Sequence, residues 1–373
     1  MIIDSHVYCF TPIDTPGGHE SGAVRMRFAQ AGYSGHQQPA YRIKDLQPGP
    51  SDVLNPKAST DLMQLPDLQF RANYARGRMV WNYNGDEYTK QFFPPNLRNL
   101  EFTPFSLSSE MDYAGVNAAL IHTDPMLGRD SAYLAECKKV MPGRLKSMIP
   151  VDEWRIKDDT DAVIQEVTDA VKVHGLDAIK FNPLGYASGP ESWDDNWYRP
   201  FWEAVTKLNV PVFFTLGTGP DFRNRKRTKA DEIQGYLNEH RILMKWMERY
   251  PNNVCSLTHG FPWRLFLDGN KIVLPADIWA PFKGENCNLE VCFPVRLGDL
   301  FDYPYREVWP TLEAMLKNIG ADHLLWGTDM PFQNRFCTYR QSRQYIEKYC
   351  TNFIGKSEMA MIMGGTAKRI LGF

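Results

Sequence analysis

The sequence predicts an α/β fold, a (β/α)8 TIM barrel with a long insertion after strand 1. Three observations carry this reading. From about residue 110 onward, short apolar runs alternate with amphipathic segments, the pattern of repeated βα units around a parallel sheet. Eight such runs are present once the N-terminal IID is counted, which favours a closed barrel over an open sheet. Residues 10–110 break the alternation and, following strand 1, would lie over the C-terminal face. Residues 1–373 therefore read as one barrel domain with the insertion inside it.

After IID, strands are expected at 117–121 (NAALI), 145–151 (LKSMIPV), 177–181 (DAIKF), 210–214 (VPVFF), 254–258 (VCSLT), 287–291 (CNLEV) and 323–327 (HLLWG). The segments between them read as helices. In DAVIQEVTDAVKV the apolar residues Val163, Ile164, Val167, Ala170 and Val171 recur at three and four, a stripe that faces a sheet. Gly175, Asn209 and Gly320 fall where helix C-caps belong. The insertion, rich in Pro, Gly, Tyr, Asn and Gln, shows no repeat and no clear period. Such a stretch is a functional lid or a flexible insertion. It also needs apolar surface to bury against, from the barrel mouth or an oligomer partner.

Composition removes several function classes. Apolar residues make up 43% and charged residues 23%, enough for a large core and against disorder. A net charge of −2 gives no reason to expect nucleic acid or a polybasic membrane patch. The basic stretch FRNRKRTK (222–229) lacks interleaved aromatics and reads as a solvated helix lead-in or an interface. No apolar run approaches the roughly 18 residues of a membrane span, and Asp4 interrupts the first one. Seven scattered cysteines without a C-x-x-C spacing read as reduced, packed thiols. A cytoplasmic enzyme is the expectation.

In a barrel, catalytic groups project from the C-terminal strand ends. Those ends carry Asp4, His6 and Tyr8 on strand 1, His122 and Asp124 after strand 2, and Asp152 and Glu153 after strand 3. Lys180 lies on strand 4, His259 after strand 6, Glu290 on strand 7 and Asp329 after strand 8. Imidazole and carboxylate suit Zn²⁺, Mn²⁺ and Fe²⁺. Each of these residues alone is compatible with a merely structural role; His6, His259 and Asp329 at one rim together point to a site. In the insertion, Arg76, Arg78, Trp81, Tyr83 and Lys90 are candidates to clamp a small acid, or are the lid's own packing.

IIDSH, EMDYAGVNAALI, VPVFF, SLTHG, LLWGTDMP and the closing MGGTAKRILGF occur in that order. As a set they resemble the amidohydrolase-related family of the amidohydrolase superfamily, in its decarboxylase and lactonase branch. The resemblance covers nearly the whole chain outside the insertion. It implies a distorted barrel holding a divalent metal, with His6 and Asp329 as ligands and His259 as ligand or general acid/base. Two usual ligand positions differ: Tyr8 replaces the second strand-1 histidine and Thr215 the strand-5 histidine. His122, Glu153 and Glu290 are then candidate substitute ligands. Tyr8 would hydrogen-bond a metal-bound water or substrate, or ligate as phenolate. Lys180 would form an ion pair or bind a substrate carboxylate, or carry a carbamate, as the strand-4 lysine does in other branches.

The expected activity is hydrolysis or non-oxidative decarboxylation of a small carboxylate-bearing molecule. A weaker resemblance, through the broken strand-1 motif and the extra carboxylates, points to the metal-dependent oxygenase branch. It implies an Fe/Mn oxygenase subunit paired with a homologous chain. The third reading is a degenerate, non-catalytic partner subunit. A homo- or hetero-oligomer is expected in each.

Overall fold

A computed structural model describes residues 1–183, 192–219 and 226–373. Eight parallel strands form the barrel: β1 (Ile3–Tyr8), β2 (Ala118–His122), β3 (Leu145–Ile149), β4 (Ala178–Phe181), β5 (Val212–Phe214), β6 (Cys255–Leu257), β7 (Cys287–Val291) and β8 (Leu324–Trp326). Each expected run yields a strand, paired in chain order from β1 to β8. Closure occurs just past β8, where the Tyr8 amide donates to the Met330 carbonyl at 2.7 Å and the Asp329 amide to the His6 carbonyl at 2.9 Å. The last bonds of the barrel are therefore made by the segment that carries Asp329.

Strand alternation sorts the side chains. Ala118, Leu120, Met148, Ala178, Phe213 and Leu325 fill the lower interior, and the C-terminal helix Thr366–Leu371 closes it with Ala367 and Leu371. The inward positions one step up carry His122, Lys180, Thr215 and Glu290. Apolar filling thus gives way to polar groups toward the mouth. The outward positions, among them Ile121, Ile179, Val212, Phe214 and Leu289, pack under the surrounding helices. Asn209 at φ 54° and Gly320 at φ 83° end helical segments, as expected; Gly175 sits three residues past Thr160–Lys172, its amide bonded to Val171.

On β1 the register shifts between Asp4 and Val7. Ile3 belongs to the interior cluster and Val7 to the outer one, so the irregularity swaps the faces of the strand. His6 and Tyr8 consequently turn inward while Asp4 turns away. Gly327 makes room opposite them: a Cβ there would lie 2.9 Å from Ser5 Oγ and 3.1 Å from His6 Cβ.

The insertion is an ordered body. It contains the helix Gly22–Gly35 and a five-stranded antiparallel sheet whose central hairpin pairs Arg78–Tyr83 with Asp86–Lys90. Asn84 and Gly85, at φ 48° and 81°, form its two-residue turn, for which Asn-Gly is the preferred pair. Trp81 is buried, Arg78 donates to the Tyr41 hydroxyl, and Lys90 Nζ donates to the Tyr33 and His36 carbonyls at 2.6 and 2.7 Å. Those three side chains serve the insertion's own packing. Of the basic stretch 222–229, the first four residues lie outside the described ones; Arg227 bonds Thr218 and the Asp231 carbonyl, and Thr228 caps the helix Lys229–Arg249. Among the described residues no helix is long and apolar enough to cross a membrane.

Arg25 ties the insertion to the barrel. Fully buried, its guanidinium donates to the carbonyls of Thr11, Pro12, Thr15, Met126 and Leu127. Arg25→Leu would strand these acceptors, each worth about 1–3 kcal/mol when left unpaired. The expected result is a melting temperature lower by several degrees, measured by calorimetry; an unchanged melt would contradict the tie.

Candidate metal centre

His6 is the centre of the site, held from three sides. Its Nδ1 donates to Glu290 Oε2 at 2.8 Å, its ring stacks on His122 at 3.5 Å between centroids, and its Nε2 lies 3.2 Å from Asp329 Oδ1 and 3.1 Å from Tyr8 Oη. His259 Nε2 approaches the same Asp329 oxygen at 3.4 Å. His6, His259 and Asp329 thus offer two imidazole nitrogens and one carboxylate oxygen within 4.8 Å of one another.

The backbone is strained where these groups are presented. His259 and Asp329 sit at φ 62° and 63°, a region that residues with a Cβ rarely adopt. Hydrogen bonds from the His259 amide to Glu290 Oε2 (2.7 Å) and from the Phe332 amide to the Asp329 carbonyl (2.7 Å) hold them there.

Charge follows the same geometry. Burial opposes ionisation of Asp329, but hydrogen bonds from His259 and His6 outweigh it and hold the carboxyl well below its usual range. Burial pushes the His259 imidazole down to about 4, which leaves it neutral. On His6 burial is overridden by Glu290 and Asp329, which raise its pKa. The donor set of two imidazoles and one carboxylate fits a divalent metal at His6 Nε2.

The other expected residues are placed differently. Glu290 accepts from His6 Nδ1, from the His259 amide and, on Oε1, from Ser5 Oγ at 3.1 Å, so it faces the back of the His6 ring. His122 is engaged at both nitrogens: Nε2 donates to the Ser5 carbonyl at 2.8 Å and Nδ1 accepts from Lys180 Nζ at 3.1 Å. His6, His122 and Glu290 are close enough to form a second trio, in which His6 Nδ1 bonds Glu290 Oε2 and His122 Nε2 bonds the Ser5 carbonyl. Thr215 Oγ1 pairs with Thr258 Oγ1 at 2.6 Å. Asp4, on the far face of the register shift, accepts from Thr328, from the Tyr339 hydroxyl and from the His6 amide. The carboxylate that orients the His6 ring is therefore Glu290, not Asp4. Burial raises the Tyr8 pKa well above its ordinary value, so its phenol keeps its proton. Asp124, Glu153 and Arg129 gather with Lys180 around a small polar space beside the trio, at the ends of β2 to β4.

The amidohydrolase family profile matches residues 87–373, over half of the chain. The chain belongs to the amidohydrolase family. No curated protein matches it. Among solved structures, a probable 2-pyrone-4,6-dicarboxylic acid hydrolase from Acinetobacter baumannii, crystallised with citric acid, superposes with a TM-score of 0.56 at 13% identity, over 100% of this chain and 99% of that one. The 5-carboxyvanillate decarboxylase of Sphingomonas paucimobilis gives 0.58 at 16% identity, over 100% and 99%. An amidohydrolase from Burkholderia multivorans with bound zinc gives 0.56 at 13% identity, over 75% and 91%. At these identities the superpositions speak for the fold, in agreement with the family's barrel.

Sequence reasoning passed over Phe332, whose ring meets Tyr8 edge-on at 5.7 Å. Its signal was position alone: it lies six residues past the end of β8, where a barrel builds its site.

Proposed function

We propose that this chain is a metal-dependent enzyme that hydrolyses or non-oxidatively decarboxylates a small carboxylate-bearing molecule. The observation that carries this reading is the convergence of His6 Nε2, His259 Nε2 and Asp329 Oδ1 at one mouth. Family membership supports it, and so do neighbours described as a hydrolase and a decarboxylase of small acids. The zinc in one neighbour supports a divalent ion, for which manganese and iron are the alternatives. The activities of these neighbours favour hydrolysis or decarboxylation over the oxygenase reading.

In this proposal His6, His259 and Asp329 hold the metal, which when bound supplies a Lewis acid and an acidified water. Glu290 and His122 are positioning residues: one fixes the tautomer of His6, the other the plane of its ring. Lys180 fixes His122 in turn. Tyr8 holds its hydroxyl 3.1 Å from His6 Nε2, where it would donate a hydrogen bond to an oxygen of water or substrate. The exposed Phe105 and Tyr113 on the helix Pro104–Ala114 favour the expected oligomer.

The test is metal content after loading with zinc, manganese or iron, paired with turnover of 5-carboxyvanillate and 2-pyrone-4,6-dicarboxylic acid. About one equivalent of metal and metal-dependent turnover are expected. A chain that takes up no metal under any loading would be the non-catalytic subunit instead. Tyr8→Phe is expected to retain the metal and the melt while slowing turnover by roughly 10²–10³-fold, the effect of losing one aimed donor. Turnover equal to wild type would remove Tyr8 from the mechanism.

A further inference from the structure

Of the seven cysteines, two stand apart by what surrounds them. Cys9 follows Tyr8 at the exit of β1, where strand alternation turns it outward, toward the helix Ser131–Val140. Cys137 lies on the buried face of that helix together with Leu134. The Cys9 thiol donates a hydrogen bond to the Cys137 sulfur, and the Tyr133 hydroxyl donates a second one to it. Those bonds, the one from Cys9 first, lower the Cys137 pKa against its burial, whereas burial raises that of Cys9 well above its ordinary value. One thiol of a touching pair is thus the readier thiolate, and the other retains its proton.

Both groups that bond the Cys137 sulfur, Cys9 and Tyr133, line a pocket of about 300 Å³ between the start of the insertion and the segment after β2. Glycines keep its walls bare: Gly17 and Gly128 sit at φ 53° and 128°, and a Cβ on Gly18 would lie 2.6 Å from the Asp130 amide nitrogen. A small neutral molecule in this pocket meets sulfur directly. The Cys255–Cys287 pair provides the contrast. These two are register partners on β6 and β7 and their thiols also touch, but both are wholly buried among strands and helices. A dithiol in contact, with one sulfur activated by hydrogen bonds and a pocket at its side, is the arrangement that small oxidants select.

We propose that Cys9 and Cys137 form an oxidation site, a dithiol that hydrogen peroxide entering this pocket converts into a disulfide joining β1 to the helix Ser131–Val140. The Cys137 sulfur attacks peroxide and breaks its O–O bond, giving a sulfenic acid; the departing hydroxide takes up the proton that Cys137 released. The Cys9 sulfur then attacks the sulfenic sulfur. The S–S bond forms, the S–O bond breaks, and a second water leaves with the Cys9 proton. Two thiols are oxidised and one peroxide is reduced to two waters. The reaction is independent of the function proposed above. The test treats the folded wild-type chain with hydrogen peroxide, then denatures it and alkylates free thiols with iodoacetamide for intact and peptide mass spectrometry. The untreated chain is expected to take seven alkyl groups. The treated chain is expected to take two fewer, with the missing pair in a linked Cys9–Cys137 peptide, lighter by two hydrogens and opened again by dithiothreitol. Cys255 and Cys287 stay alkylatable. Cys9→Ser is expected to leave Cys137 as a sulfenic acid trapped by dimedone, and Cys137→Ser to form no disulfide at Cys9. Three outcomes overturn the proposal: full alkylation after treatment, a disulfide that spares either Cys9 or Cys137, or oxidation shared equally with Cys255 and Cys287, which marks unfolding and not a site. The wild-type mass map decides among these even where a serine variant does not fold.

Discussion

Asp329→Ala and His6→Ala are each expected to reduce bound metal from about one equivalent to near zero and to lower turnover at least on the order of a thousandfold. A metal supplies several kcal/mol of transition-state stabilisation, and each 1.36 kcal/mol is tenfold in rate. The two variants should differ in stability. Asp329 sits at the rim, and the bonds that close the barrel beside it are made by its backbone, which alanine keeps. Alanine at φ 63° adds only about 1–2 kcal/mol of strain. His6 is fully buried between Glu290 and His122, so its removal leaves the Glu290 charge without its partner, a loss of roughly 3–5 kcal/mol. The melting temperature should therefore fall further in His6→Ala than in Asp329→Ala. Elemental analysis and a melt on each variant give both readings. Full metal stoichiometry in both variants would place the metal elsewhere or nowhere.

The barrel was legible because its period repeats. Eight apolar runs with helices between them leave few other topologies, and the strand ends pointed to His6, His259 and Asp329 for the same reason. Alternation puts Asp4, His6 and Tyr8 on one face, whereas the register shift between Asp4 and Val7 breaks that alternation and sets Asp4 apart from the other two. A bulge of this kind leaves no mark in residue type. The order in the insertion was legible after all, in the Asn84-Gly85 pair between MVWNY and DEY, a hairpin signal outweighed by the scatter of prolines and polar residues around it. The partners of Glu290 and His122 were not legible, since a carboxylate or imidazole at a strand end has the same composition whether it faces an ion or the ring behind it.

Glu290→Gln decides between those two roles. In the structure Glu290 Oε2 accepts from His6 Nδ1 and the His259 amide, Oε1 accepts from Ser5 Oγ, and the side chain is fully buried. Burial would raise its pKa, but the charge and hydrogen bond of His6, with help from His259, bring it below the usual value, so it is an anion where it stands. Glutamine has the same shape. Its carbonyl can take the Oε2 place and keep both N–H donors satisfied, while its amide faces Ser5 Oγ, a hydroxyl able to turn and accept. The fold should survive with a modest drop in melting temperature. What is lost is the negative charge behind the imidazole, which makes His6 a stronger ligand; removing such a partner weakens metal binding roughly 10–100-fold. Glu290→Ala should behave differently, because it orphans two buried N–H groups at about 1–3 kcal/mol each and leaves a cavity beside the site. The measurement is metal affinity by chelator competition, read beside Asp329→Asn. Asp329→Asn is expected to bind no measurable metal and Glu290→Gln to bind it with a Kd raised 10–100-fold. Complete loss in Glu290→Gln would make Glu290 a direct ligand, and an unchanged Kd would mean that the back of the His6 ring does not tune the metal at all.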